Sequence, residues 1–146
     1  MRKIIYVITL LLISNLCLAA GTSDNNKDNL YKEAKKLVLK AKKFEKKDKL
    51  DKASKLYSKA HDKLLKAYNK DKTNADILNY LGFTLRKMGN FEKAEIYYLK
   101  GLEIDAQHLG INEYLGELYV QTNRIDLAKK RLEILKGCKC EEYEEL

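Results

Sequence analysis

Two four-residue stretches lying 34 positions apart constrain this chain most: Asn79-Tyr80-Leu81-Gly82 and Glu113-Tyr114-Leu115-Gly116. Three of the four residues match, and the likeness spreads to both sides. Leu85 pairs with Tyr119, Phe91 with Ile125, Ala94 with Ala128, and Tyr98 with Leu132. Self-similarity at a fixed period marks stacked supersecondary units, each unable to bury its apolar face alone. The unit here is helical. Proline is absent, glycine is sparse, and Lys, Leu, Ala and Glu dominate the 146 residues. Few runs alternate at period two, which argues against a sheet.

On these residues the chain resembles the tetratricopeptide repeat (TPR) family. That pattern wants a large residue, then Leu-Gly, then a large residue on a first helix. It wants Ala, an aromatic and Ala on a second. Residues 75–108 supply Leu78, Leu81-Gly82, Leu85, Ala94, Tyr98 and Gly101. Residues 109–142 supply Leu115-Gly116, Tyr119, Ala128, Leu132 and Leu135, with polar Asn112 at the first site. The physical reason is packing: small Gly82, Gly116, Ala94 and Ala128 let paired helices approach, and large neighbours fill the space around them. Glycine inside a helix costs about 1 kcal/mol relative to alanine, so a repeated one reports a packing need. Ala106 stands where the family usually has proline. The breaks between hairpins therefore fall to Asp71-Lys72-Thr73-Asn74 and Gln107-His108-Leu109-Gly110. Met88-Gly89-Asn90 and Thr122-Asn123-Arg124 make the turns inside hairpins.

Residues 30–74 match more loosely. Leu30, Ala34, Leu37, Ala41 and Phe44 form one apolar stripe; Leu50, Ala53, Tyr57, Ala60, Leu64 and Ala67 form another. Lys46 to Lys49 is the turn between them, with Asp48 a candidate cap. Aligning Ala53 with Ala94 and Ala67 with Gly101 works only if the second helix carries seven extra residues. That helix would be roughly 30 Å long at about 1.5 Å per residue. The two readings are an elongated TPR hairpin and a plain coiled-coil hairpin. The expected fold is all-α: a short right-handed solenoid of about three antiparallel hairpins, the first elongated. It follows a signal over 1–21 and a polar disordered linker over 22–29, and ends on a truncated capping helix over 143–146.

In TPR proteins the first helices of successive hairpins line a concave groove for a peptide or a helix. The resemblance places Asp76, Asn79, Phe83, Arg86 and Lys87 in that groove. From the third hairpin it places Glu113, Glu117, Val120 and Gln121, and from the first Lys35, Val38, Lys42 and Glu45. Phe83 lies opposite Leu81 and Leu85. It is either an exposed anchor for a partner or packed against neighbouring first helices. Glu113 and Glu117 argue against a clamp for carboxylates and point to a mixed or basic peptide.

Met1-Arg2-Lys3, the apolar run Ile4 to Ala20 and small Ala19, Ala20 and Gly21 form the regions of a secretory signal. Cleavage after Gly21, Ala20 or Ala19 fits, and an uncleaved anchor is the alternative. The expected location is the periplasm or outside the cell, which counts against nucleic-acid partners. The charge is +8, with 17 lysines against 8 acids over residues 22–72. These lysines alternate with acids and lack the interleaved aromatics of a nucleic-acid reader. Cys138 and Cys140 form a disulfide, remain thiols, or bind a soft metal with ligands from elsewhere. His61 and His108 lie near no cysteine. No nucleophile triad, phosphate loop or paired helical metal ligands appears, so neither enzyme nor cofactor is expected.

Glu141 to Leu146 begins another helix and stops. TPR arrays generally finish on a polar capping helix, so Ile125, Leu127, Leu132, Ile134 and Leu135 should leave apolar surface for a partner or a second copy. The leading expectation is an exported scaffold for a protein or peptide partner. The others are a redox or metal-handling accessory using Cys138 and Cys140, and a structural subunit held at the membrane by its signal.

Overall fold

A computed structural model describes residues 22–146, and the signal reading lies outside them. Among the described residues seven helices run α1 (Thr22–Glu45), α2 (Leu50–Lys70), α3 (Ala75–Lys87), α4 (Phe91–Ile104), α5 (Leu109–Gln121), α6 (Ile125–Leu135) and α7 (Glu141–Glu145). Among the described residues there is no strand, and no helix is long and apolar enough to cross a membrane. α1/α2, α3/α4 and α5/α6 are hairpins stacked in chain order, with α7 against α5 and α6. The stretch 22–29, expected as a linker, is instead continuous with α1.

The repeat is visible in the turns. Asn74 and His108, 34 positions apart, cap α3 and α5 by accepting from the backbone N–H of Ile77 and Ile111. Asp71 and Asp105 share that offset. Each closes a helix in extended backbone and accepts, on its carboxylate, the N–H two residues on, from Thr73 and Gln107. These aspartate turns stop α2 and α4 without proline, because a short polar side chain gives the backbone a partner outside the helix. Gly89 and Asn123, again 34 apart, take left-handed φ of 79° and 58° inside the hairpins. Asp48 does the same at φ 53°, so it shapes the turn; Lys49 is the N-cap and makes no side-chain cap.

α2 has 21 residues and α4 has 14, the seven-residue excess expected for an elongated first hairpin. Its core is Ala34, Val38 and Ala41 against Ala53, Tyr57, Ala60, Leu64 and Ala67. The alanines bring the two helices together, and Tyr57 closes one end by donating to Glu45 at 2.8 Å. Leu50, expected in the stripe, is 59% exposed, because it opens α2 at the turn, ahead of the residues that face α1.

In the second hairpin Gly82 lies beneath the Tyr98 ring; a Cβ there would stand 2.5 Å from Tyr98 Cε1. Leu81, Ala94, Tyr98, Leu115, Tyr119 and Ala128 are all buried, as their packing positions require. Asn112 is buried and satisfied where the family has an apolar residue. Its Nδ2 donates to the carbonyls of Ala106 and His108, and its Oδ1 accepts from Arg131.

Candidate functional site

α1 packs on α3 and α3 on α5, so the first helices of the three hairpins form one face. The repeat sets Tyr80 and Tyr114 at equivalent positions of α3 and α5. Phe83 stands one helical turn after Tyr80 and reaches across to Tyr114. The rings form a row, with Tyr31 and Tyr80 centroids 5.7 Å apart, Tyr80 and Phe83 6.4 Å, and Phe83 and Tyr114 4.8 Å.

Four cations lie over that row. Lys35 Nζ is 5.4 Å from the Tyr31 centroid and 5.5 Å from Tyr80. Lys42 Nζ is 5.0 Å from Phe83 and 5.6 Å from Tyr114. The Arg86 guanidinium is 5.6 Å from Phe83 and 5.7 Å from Tyr114, and Lys87 Nζ is 5.9 Å from Phe83. Such contacts place positive charge against the electron-rich ring faces. Arg86 pairs with Glu117, and Lys87 with Glu45 at 2.7 Å. Burial pushes the Glu45 acid up, but hydrogen bonds from Lys87 and Tyr57 outweigh it and hold the group below its ordinary value. Among the described residues no carboxylate forms an ion pair with Lys35 or Lys42.

The structure revises several groove assignments. Phe83 is 2% exposed and sits in the core cluster, with Tyr57 of α2 behind it at 5.9 Å. It is no exposed anchor, because α3 has neighbours on both sides and so buries both of its faces. Asn79, Arg86, Glu113 and Val38 are buried too. Asn79 packs its amide against Gly110, where a Cβ would lie 2.7 Å from Nδ2. Glu117, Lys35, Lys42, Glu45 and Lys87 are half-buried, and Asp76, Val120 and Gln121 are exposed.

The two glutamates read as free negative charges are not free. Glu117 is held by Arg86. Glu113 is pushed up to about 8, first by burial, then by the hydrogen bond that its protonated form donates to the Glu145 carboxylate and by the nearby charges of Glu117 and Glu145, against the pull of Lys42. A buried carboxyl beside other carboxylates stays protonated near neutral pH. Neither glutamate is therefore a free negative charge beside Lys42, while Asp76 by Tyr31 and Glu145 at the third hairpin carry the acidic groups at the two ends of the face. Sequence reasoning missed Tyr31, Tyr80 and Tyr114 as groove residues. The signal was present: Tyr80 and Tyr114 are themselves the 34-residue match.

Toward the third hairpin the face opens into a cavity of about 310 Å³ lined by Arg86, Lys87, Glu117, Val120, Gln121, Glu145 and Leu146. Cys138 and Cys140 are joined as a disulfide between α6 and α7, their Cα atoms 5.1 Å apart. Among the described residues no three His, Cys, Asp or Glu side chains gather as metal ligands.

The tetratricopeptide repeat family model matches residues 30–107, just over half of the chain. The chain belongs to the tetratricopeptide repeat family. The match begins within α1 and runs through α2, α3 and α4. A TPR repeat-containing protein of Borreliella burgdorferi (strain ATCC 35210) is 28% identical over 123 residues, covering 84% of this chain and 50% of that protein. This TPR chain thus spans half the length of that relative. Among solved structures it is similar to the Yersinia enterocolitica type III secretion translocator chaperone SycD. The TM-score is 0.60 at 18% identity, over 84% of this chain and 82% of SycD. SycD in complex with a peptide of the translocator YopD matches at TM-score 0.55 and 18% identity, over 76% and 81%. The first TPR of Spaghetti (RPAP3), bound to the HSP90 peptide SRMEEVD, matches at TM-score 0.51 and 19% identity, over 77% and 86%. At these identities the likeness concerns fold. A TPR fold is a scaffold for protein–protein contact.

Proposed function

We propose that this chain is an exported, non-catalytic TPR adaptor whose α1/α3/α5 face holds an acidic segment of a partner protein. One observation carries the reading. Lys35 and Lys42 sit on a continuous row of aromatic rings, and no carboxylate of the described chain pairs with either. A cation already placed over a ring loses little side-chain freedom on meeting a carboxylate, so the site is pre-organised for one. Glu117 is taken up by Arg86 and burial keeps Glu113 protonated, so neither serves Lys35 or Lys42 as an ion-pair partner. Structures similar in fold hold peptides, of YopD in SycD and of HSP90 in RPAP3. Export rests on the signal-like residues 1–21.

The test is capture from native extract by the wild-type chain and by a Lys35→Glu/Lys42→Glu double variant. The wild type is expected to hold a protein partner at low salt and lose it as salt rises. The double variant is expected to keep its helices and lose the partner at least tenfold. Equal capture by both chains would place the binding face elsewhere. Mass spectrometry of the cell-derived protein, showing a new N-terminus near Gly21, checks export.

A further inference from the structure

The third hairpin departs from the second at one slot. In the second, the Tyr98 ring covers Gly82. In the third, the equivalent of Tyr98 is Leu132, which is shorter and only half-buried. The atoms nearest a Cβ built on Gly116 belong instead to Leu146, its Cδ2 and Cδ1. Leu146 fills the space that an aromatic fills one repeat earlier.

The segment that brings Leu146 there is lightly held. α7 has five residues, none buried, and its N-cap Cys140 makes no side-chain cap. Among the described residues no ion pair involves Glu141, Glu142, Glu144 or Glu145. Its anchor is the Leu146 side chain over Gly116, with Glu145 close to Glu113. Segments with few buried apolar contacts open at low free-energy cost. The Cys138–Cys140 disulfide closes a tight loop in the connection from α6 to α7. Glu145 and Leu146 line the same cavity as Arg86, Lys87, Glu117, Val120 and Gln121, which the sequence assigned to the groove. The segment therefore stands in the binding face, and its chemistry is glutamates leading to an aliphatic side chain.

We infer that residues 141–146 are an intramolecular occupant of the groove's third-hairpin end, displaced by a partner segment of the same acidic–aliphatic chemistry. The inference rests on the α1/α3/α5 face being the binding face. An internal occupant lowers a partner's apparent affinity by the fraction of chains in which the slot is open. Partner affinity is thereby set by how firmly Leu146 sits over Gly116.

The test uses the full chain and a fluorescent peptide with the sequence of residues 141–146, followed by anisotropy. The wild type is expected to bind it weakly. Leu146→Asp, which cannot keep a charge in the slot, is expected to bind at least tenfold more tightly. Adding Gly116→Ala to Leu146→Asp puts a methyl group in the slot and is expected to abolish the gain. Leu146→Ala repeats the measurement with a milder change, and circular dichroism checks that each variant stays helical. Equal binding by wild type and both Leu146 variants, or binding by none, overturns the inference. So does loss of helix in both, which makes Leu146 a fold residue. Each of those results leaves the Lys35→Glu/Lys42→Glu capture test standing, so failure of the occupant is distinguishable from failure of the face.

Discussion

Phe83 touches every first helix. Lys42 of α1 and Tyr114 of α5 lie on either side, and Tyr57 of α2 lies behind. Removing its ring opens a cavity where four helices meet, so Phe83→Ala is expected to destabilise the fold by about 3–5 kcal/mol. Chemical denaturation reads that loss, and a change below about 1 kcal/mol would return Phe83 to the surface. A helical wheel misreads this residue because it assumes one buried face per helix. In a stacked repeat a first helix is flanked on both sides, and α3 accordingly buries Asn79, Phe83 and Arg86 along with Leu81 and Leu85. Glu113 was placed on the right face for the same topological reason. Its charge state was not legible, because it depends first on burial and then on Glu145, far along the chain. Its acid titrates near 8 in the folded chain against an ordinary 4.5. Between those values the unfolded chain has released a proton that the folded chain keeps, so stability falls as pH rises through the window. The slope is about 1.4 kcal/mol per pH unit. Glu113→Gln is expected to flatten thermal stability between pH 5 and 8 and to exceed the wild type at pH 8. Parallel profiles for the two chains would show that Glu113 is not held protonated.

The elements themselves were largely legible. The 34-residue offset places α3 to α6, and the seven-residue excess in α2 follows from aligning alanines with a later alanine and glycine. The aspartate turns at Asp71 and Asp105 were located only as breaks, since their work lies in a side-chain bond to a backbone N–H that no periodicity encodes. Contacts between consecutive hairpins were less legible still. His61 of α2 meets Thr84 of α3, with Nδ1 3.0 Å from Oγ1. The Thr84 hydroxyl donates to the Tyr80 and Leu81 carbonyls, so it accepts from the imidazole. Burial pushes the His61 pKa down, with the Asp62 charge opposing and Lys93 reinforcing. The unfolded chain then takes up a proton that the folded chain refuses. Stability is complete above the ordinary value of 6.5 and is lost as pH falls below it toward the depressed folded value. Because Glu113 works the other way over this window, the signature is a difference: from pH 7.5 to 5 the wild type should lose ground relative to His61→Gln in thermal melts. Parallel profiles for the two chains would assign the acid sensitivity to other groups.

At the scale of the molecule, charge and shape act together. The lysine excess falls in the first hairpin, and its helix α1 contributes Lys35 and Lys42 to the face. The third hairpin, poor in positive charge, closes its end of the face with an acidic segment of its own. Of the apolar residues expected to be left over on α6, Leu135 is buried, Leu127, Leu132 and Ile134 are half-buried, and Ile125 is 42% exposed. α7 packs against α6 and supplies part of that cover. The face itself is best examined by placing a photo-activated cross-linking residue at Lys42 and, separately, at exposed Leu99 on α4. The account predicts that Lys42 yields an adduct with a partner peptide rich in Asp and Glu, and that Leu99 yields none. An adduct at Leu99 with none at Lys42 would contradict it.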